Sequence, residues 1–444
     1  MSTPPISDAA TAVTPKYEQE SLRTPQMRRI LASSFLGSAI EFYDFMLYAS
    51  AAALVFGPVF FSQLDPALAA IASFATLAAG YVARPLGGIV FGHFGDRLGR
   101  KGVLVFTMVL MGVATALIGL LPTYDQIGAA APMLLVTLRI VQGFAVGGEW
   151  GGAMLIALEQ APGGKRGFAA AFANLGAPAG SVLSAGILGL FTLMPHEQFL
   201  AWGWRVPFLL SVVLVAIGMV VRLKVVESPL FVSFNNEAEK RKVPFIEVFK
   251  NSPWVLLLGM LVAMSQLTIS GMASVWGLGY ATSHGTDPTF ALNSKVASAI
   301  AMFVTTIIAA RLSDRYGRRP VIAVGIVAAA VFAFPLIQLV GMGENWAFAV
   351  AVIVGQGIQG IILGPLAAFL AELFPTETRF TGASIAFQGA SAIGAGFTPI
   401  IASSLMGSGG PVVLGVVWIA VLLVCLVAVF ISPEGSKRNL ADVK

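Results

Sequence analysis

Twelve apolar stretches, each long enough to cross a bilayer, run through this chain and leave little sequence for anything else. A helix needs about 20 apolar residues to span the hydrocarbon core. The stretches fall at about 30–56, 67–93, 102–121, 132–158, 167–194, 205–223, 253–281, 295–312, 320–341, 346–371, 380–406 and 411–431, each bounded by charge or by Gly/Pro turns. In lipid the backbone must satisfy its own hydrogen bonds, which stretches of this length do as helices. The expected fold is all-α and integral to the membrane, with twelve transmembrane helices in two bundles of six.

The segments between them set the expected domains. Residues 1–27 are polar and rich in Thr, Ser and Pro, and read as a disordered cytoplasmic tail rather than a signal peptide. The first six-helix bundle is expected over 28–223 and the second over 253–431. Between them lies a cytoplasmic loop, 224–252, where Glu237, Glu239, Lys240, Arg241 and Lys242 crowd together, and after them a cytoplasmic tail, 432–444.

Composition excludes several functions. Only 11% of the residues are charged, against about 25% in soluble proteins, so a cytosolic enzyme is ruled out. Cys425 is the lone cysteine, and His93, His196 and His284 are scattered, so neither a disulfide scaffold nor a metal site is expected, and no cofactor. The nearest approach to a phosphate loop, Pro162 to Gly167, has Arg where Ser or Thr is required. The net charge of +5 is topological, since 23 of the 27 Lys and Arg fall on one side if the N-terminus is inside. No nucleic-acid partner is implied. The expected location is the cell (inner or plasma) membrane, multi-pass, with both termini cytoplasmic. Arg205 and Lys295 are expected at external helix ends, leaving Arg84 and Arg139 within the membrane.

An internal repeat divides the chain. Gly92 to Lys101, GHFGDRLGRK, recurs 218 residues later as ARLSDRYGRR, Ala310 to Arg319, and VQGFAVGG at Val141 is echoed by IQGIILGP at Ile358. Parallel repeats of this kind are related by an axis along the membrane normal. In each loop Gly permits a tight turn, Asp96 or Asp314 can pair with Arg or cap a helix, and the basic residues suit anionic lipid. Asp96, Arg97, Gly99 and Arg100, with Asp314, Arg315, Gly317 and Arg318, are therefore candidate gating residues.

This doubled loop resembles the signature of the major facilitator superfamily. Four strings narrow the resemblance: GSAIEFYDFMLYAS (Gly37 to Ser50), YVARPLGGIVFGHFGDRLGRK (Tyr81 to Lys101), LRIVQGFAVGGEWGGAMLIALEQAP (Leu138 to Pro162) and WGWRVPFLLS (Trp202 to Ser211). Together they are similar to the metabolite:proton symporter family, whose members take up shikimate, 2-oxoglutarate, citrate, proline or betaine. The resemblance implies the superfamily's twelve-helix fold, a cavity lined by spans 1, 4, 7 and 10, and an acid on span 1 paired with an Arg on span 4. The chain departs from the osmosensing members, which carry a long C-terminal coiled coil where this one has only Glu434 to Lys444.

Ionisable groups inside a bilayer cost several kcal/mol and are functional by default. Five are expected deep in the spans, all in the first half: Glu41, Asp44, Arg84, Arg139 and Glu149. Glu41 and Asp44 share a face of span 1. By helix rise, Glu41, Arg84 and Glu149 lie at one depth, and Asp44 and Arg139 at another. Three acids against two bases leave one carboxylate free to load and release a proton, so Asp44, Glu41, Glu149 and Arg139 are candidates for proton coupling, with Asp44 expected to be held by Arg139. Static ion pairs that fix helix packing are the competing reading. Arg84 and Arg139 offer forked donors that fit a carboxylate.

In the second half Gln266, Trp276, Tyr280, Gln356 and Gln359 offer hydrogen bonds to a substrate, although Trp276 and Tyr280 fit an interfacial aromatic belt equally well. The expected function is secondary active transport: proton-coupled symport of a small carboxylate-bearing metabolite by alternating access. Uptake of a zwitterion, or proton-coupled efflux, uses the same groups. The expected partners are that substrate, protons and the lipid bilayer, with the chain acting as a monomer. A membrane enzyme or a channel fits less well, for want of a nucleophile, metal cluster or ligand ring.

Overall fold

The computed structural model describes the backbone of residues 25–98, 100–147, 158, 165–223, 244–375 and 378–435. Of these, the side chains of 25–30, 33, 92–98, 100–104, 221–223, 244–247 and 380 are outside the description. The described residues form helices and no strand.

Span 1 is Pro25–Leu54, span 2 Pro66–Leu98 and span 3 Arg100–Leu120. Span 4 is described over Ala130–Val146, and span 5 over Arg166–Phe191. Span 6 enters through a π-helical turn, Phe199–Gly203, and bends by 42° into Arg205–Leu223. Span 7 is Pro253–Ser283, with a π-helical turn at Gly271–Trp276. Span 8 is Pro288–Tyr316, span 9 Arg318–Gly341 and span 10 Asn345–Leu373. Spans 11 and 12 run as one helical stretch, Thr381–Ile431, turned at Gly410, whose φ is 69°, ahead of Pro411. Twelve spans are thus traced among the described residues.

Hydropathy places these helices, but helix ends follow capping. Span 8 starts two turns before its apolar run, because Asp287 accepts from the Phe290 backbone N–H at 2.7 Å and Pro288 occupies the first turn. Lys295 therefore lies well inside the helix and is buried. This corrects two expectations: a helix-end position for Lys295 and a second half without deep ionisable groups.

The exterior is apolar where lipid is expected. On span 9, Val324, Val327 and Val331 form an exposed stripe. Inside, spans 2 and 4 approach through glycines, and a Cβ at Gly88 would lie 2.9 Å from the Gly147 carbonyl oxygen. That close approach brings the arginines of the two spans beside span 1.

Candidate functional site

Asp44 on span 1, at 1% exposure, accepts at Oδ2 from the Thr115 hydroxyl of span 3 at 3.0 Å. Thr115 in turn accepts from Gln142 Nε2 of span 4 at 2.8 Å, and Gln142 Oε1 accepts from Arg139 Nη1 at 2.5 Å. The expected direct ion pair between Asp44 and Arg139 is therefore replaced by a three-bond chain. The reason lies in what else Arg139 touches. Its guanidinium sits 4.0 Å from the ring centroid of Tyr48 and 4.5 Å from that of Phe45, and these π faces draw it away from Asp44. Asp44 Oδ1 and Arg139 Nε and Nη2 are buried with no hydrogen-bond partner.

Arg84 on span 2 uses the same aromatic platform. Its guanidinium carbon is 3.6 Å from the Phe45 centroid and 4.4 Å from that of Tyr81. Glu41, buried on span 1, acts electrostatically on both Arg84 and Asp44. Arg84 and Arg139 thus meet at Phe45, with Asp44 and Glu41 coupled to them electrostatically; Glu149 lies outside the described residues.

Beside this cluster a small cavity of about 40 Å³ separates the halves. From the first half it is lined by Phe42, Met46, Tyr81, Arg84 and Asn174 among others, and from the second by Gln266, Met302, Gln356, Gln359 and Phe387. Gln359 Nε2 donates to Gln266 Oε1 at 2.7 Å, joining spans 10 and 7. Gln356 Nε2, Gln359 Oε1 and Arg84 Nε have no partner. Arg139 does not line this cavity, being set among Phe45, Tyr48 and Tyr81. Nor do Trp276 and Tyr280, which stack at 5.0 Å between centroids, with His284 stacked 4.0 Å beyond Tyr280. Trp276 is fully buried, so it is not part of an interfacial belt either. Spans 1, 7 and 10 line the cavity as the family resemblance implies, joined by 2, 5, 8 and 11; the described part of span 4 does not.

The halves touch on both sides of the cavity. On the face bearing Arg318, Asp314 of span 8 accepts from the Gly167 N–H at 2.8 Å and the Phe168 N–H at 3.0 Å, both of span 5, and Asn174 donates to the Leu363 carbonyl at 2.9 Å. Asp314 therefore realises both sequence alternatives, since it also pairs with Arg318 at 2.7 Å. Arg318 is buried, with a second partner in Glu372 at 3.2 Å, so it is not the lipid anchor its charge suggested. Gly317 turns the chain with φ 100°, and Glu434 accepts from the N–H groups of Arg318 and Arg319 that follow. Arg315 lies over Tyr316 at 5.3 Å. In the first copy Asp96, Arg97 and Arg100 fall in helices whose side chains lie outside the description there, and Gly99 is outside it altogether.

On the far face Thr289 of span 8 donates to the Thr192 hydroxyl of span 5 at 2.9 Å, and Lys295 Nζ donates to Ser50 Oγ at 2.7 Å. A second cavity of about 400 Å³ opens there, lined by Leu54, Thr192, His196, Pro288 and Thr289 among others. Bonds between the halves thus bracket the central cavity on either side. Sequence reasoning missed Thr115, Gln142, Phe45, Tyr48, Lys295 and Glu372. Gln142, one turn from Arg139, carried a periodic signal, as did Phe45 and Tyr48, one turn from Glu41 and Asp44.

Comparison with known proteins accords with this architecture. Residues 30–243 match the sequence model of the "Sugar (and other) transporter" family, and residues 262–443 that of the "Major Facilitator Superfamily". The chain is 39% identical to the inner membrane metabolite transport protein YhjE of Escherichia coli, covering 97% of this chain and 100% of that one. It is also 39% identical to the E. coli shikimate transporter, covering 89% and 92% respectively. A partially occluded inward-open structure of the E. coli xylose transporter XylE superposes with a TM-score of 0.73 over 94% of this chain and 100% of that one, at 18% identity, a likeness of fold. The chain is a multi-pass membrane transporter, not an enzyme, and belongs to the major facilitator superfamily, within its metabolite:proton symporter family.

Proposed function

We propose that the protein carries a small organic acid into the cell together with a proton, by alternating access. The observation that carries this reading is the hydrogen-bonded chain Asp44–Thr115–Gln142–Arg139 beside a cavity lined by Arg84, whose Nε donor is unsatisfied. The basic face is taken as cytoplasmic, from the distribution of Lys and Arg.

Asp44 is the proton site of this proposal, with Oδ1, buried and unpartnered, as the receiving atom. The Thr115 hydroxyl has one hydrogen and two acceptors in reach, Asp44 Oδ2 at 3.0 Å and the Met111 carbonyl at 2.9 Å. Charged Asp44 holds that hydrogen. Neutral Asp44 releases it to Met111, which loosens the chain to Gln142 and Arg139. The spans carrying these groups can then change their packing, so proton occupancy biases which face opens.

For the substrate, Arg84 supplies a guanidinium for a carboxylate, while Gln266, Gln356 and Gln359 supply hydrogen bonds from the other half. At about 40 Å³ the cavity in this arrangement is below the usual range for small ligands, about 300–1,000 Å³, so the halves must part to admit one, as alternating access requires. A shikimate-like acid is favoured by the acid-binding groups and by the likeness to a shikimate transporter.

The test is accumulation in energised right-side-out vesicles of shikimate, 2-oxoglutarate, citrate, benzoate and betaine. An acid should accumulate under an inward proton gradient and cease to do so with a protonophore. Accumulation that survives without any ion gradient defeats symport, and accumulation of betaine alone defeats the organic-acid reading.

A further inference from the structure

The proton and substrate chemistry above leaves Lys295 unused. Its side chain is 1% exposed, and it lies seven residues into the helix Pro288–Tyr316, about 10 Å from the start of span 8. Its ammonium donates to Ser50 Oγ of span 1 at 2.7 Å. The partner described for Lys295 is this serine hydroxyl, and no ion pair with a carboxylate is described for it. Holding two helices together needs only a neutral hydrogen bond; burying an ammonium for that purpose adds a desolvation cost with no return.

Its position supplies a use. Pro288, Lys295 and Met302 recur every seven residues and so share a face of span 8. Pro288 lines the far-face cavity and Met302 the central one. On span 1, Ser50 lies four residues from Leu54, which lines the far-face cavity, and four from Met46, which lines the central one. Two helices independently place the Lys295–Ser50 contact on the partition between the cavities.

We propose that Lys295 is a carboxylate-binding station on the external route to the central cavity. When the halves part on that side, span 1 carries Ser50 away and the ammonium faces the route. An entering organic anion takes the place of the serine hydroxyl and is then passed inward to Arg84. A Lys suits a station better than an Arg fork, because a point charge on a flexible stem binds without fixing orientation and lets go readily. This inference rests on the organic-acid reading of the central site.

The experiment measures uptake KM for the same five compounds in right-side-out and inside-out vesicles, for the wild type, Lys295→Gln and Lys295→Arg. For whichever acid the wild type transports, Lys295→Gln should raise KM at least fivefold in right-side-out vesicles and leave it within twofold in inside-out ones. Lys295→Arg, which keeps the charge, should stay within twofold of wild type in both. An unmoved KM in Lys295→Gln, or equal impairment of the Gln and Arg variants, overturns the station while leaving the organic-acid reading intact. A wild type that carries betaine and none of the acids removes both.

Discussion

Asp314, in the second half of the molecule, caps the helix that begins at Arg166 in the first half, accepting from the Gly167 N–H at 2.8 Å. The residue at that helix's own cap position is Lys165, whose side chain makes no capping hydrogen bond, so the opposite half supplies one. Because this bond spans the two halves, it exists only while they are closed together on this face, taken above as cytoplasmic. Loss of a cap costs about 1–2 kcal/mol, and about 1.4 kcal/mol is a tenfold shift in population. In Asp314→Ala, a cysteine introduced at Ser181, which lines the central cavity, should be modified roughly tenfold faster in inside-out vesicles. An unaltered rate would remove Asp314 from the gate.

The second prediction separates movement from drive. Asp44→Asn fixes the neutral state, so the protein should still exchange substrate across the membrane, while accumulation against a gradient falls to about the equilibrium ratio. Gln142→Leu, which breaks the same chain one link from Arg139, should lower the accumulation ratio as well. Exchange and active uptake are compared in these variants and in Glu41→Gln and Glu149→Gln. If Asp44→Asn still accumulates substrate while another variant loses that activity alone, the proton belongs to the other residue.

The third concerns the aromatic platform. Phe45 presents its ring to Arg84 at 3.6 Å and to Arg139 at 4.5 Å. Phe45→Leu keeps apolar bulk but deprives both guanidinium groups of a π face, at a cost of about 1–2 kcal/mol for a desolvated pair. Uptake KM for an acid and the accumulation ratio should both worsen. Arg84→Lys should raise KM roughly tenfold with the accumulation ratio retained, because the fork is lost and the charge kept. Normal uptake in Arg84→Lys would exclude this side chain from the carboxylate site.

The fourth tests the close packing of spans 2 and 4. A methyl at Gly88 meets the Gly147 carbonyl oxygen at 2.9 Å, whereas at Gly357 nothing lies within 4 Å. Overpacking of this kind costs about 1–3 kcal/mol. In a thermal denaturation series, Gly88→Ala should lower the Tm by several degrees and Gly357→Ala should leave it in place. Equal behaviour of the two would mean that spans 2 and 4 can separate freely at this point.

Hydropathy and charge carried the sequence reading as far as the twelve spans, the repeat and the candidate intramembrane charges, because each is visible along a single helix. What joins them is not. Thr115 and Gln142 are neutral, and Phe45 looks like any packing residue; their roles exist only in the register of spans 1, 3 and 4 against one another. Lys295 was misplaced because Thr289, Asn293 and Ser294 make the first two turns of span 8 read as loop, while the Asp287 cap starts the helix earlier. Arg318 looked like a lipid anchor because its partner Glu372 lies on another span, more than fifty residues away.

The central cavity takes charge from one half of the molecule and amides from the other: Arg84 comes from span 2, while Gln266, Gln356 and Gln359 come from spans 7 and 10. The Asp44 chain lies wholly in the first half. On the reading proposed above, the carboxylate clamp and the energy input share one stretch of the gene, while the glutamines that meet the rest of the substrate lie in another. Point changes confined to spans 7 and 10 would then alter which acids such a carrier accepts while leaving its clamp and its engine as they are.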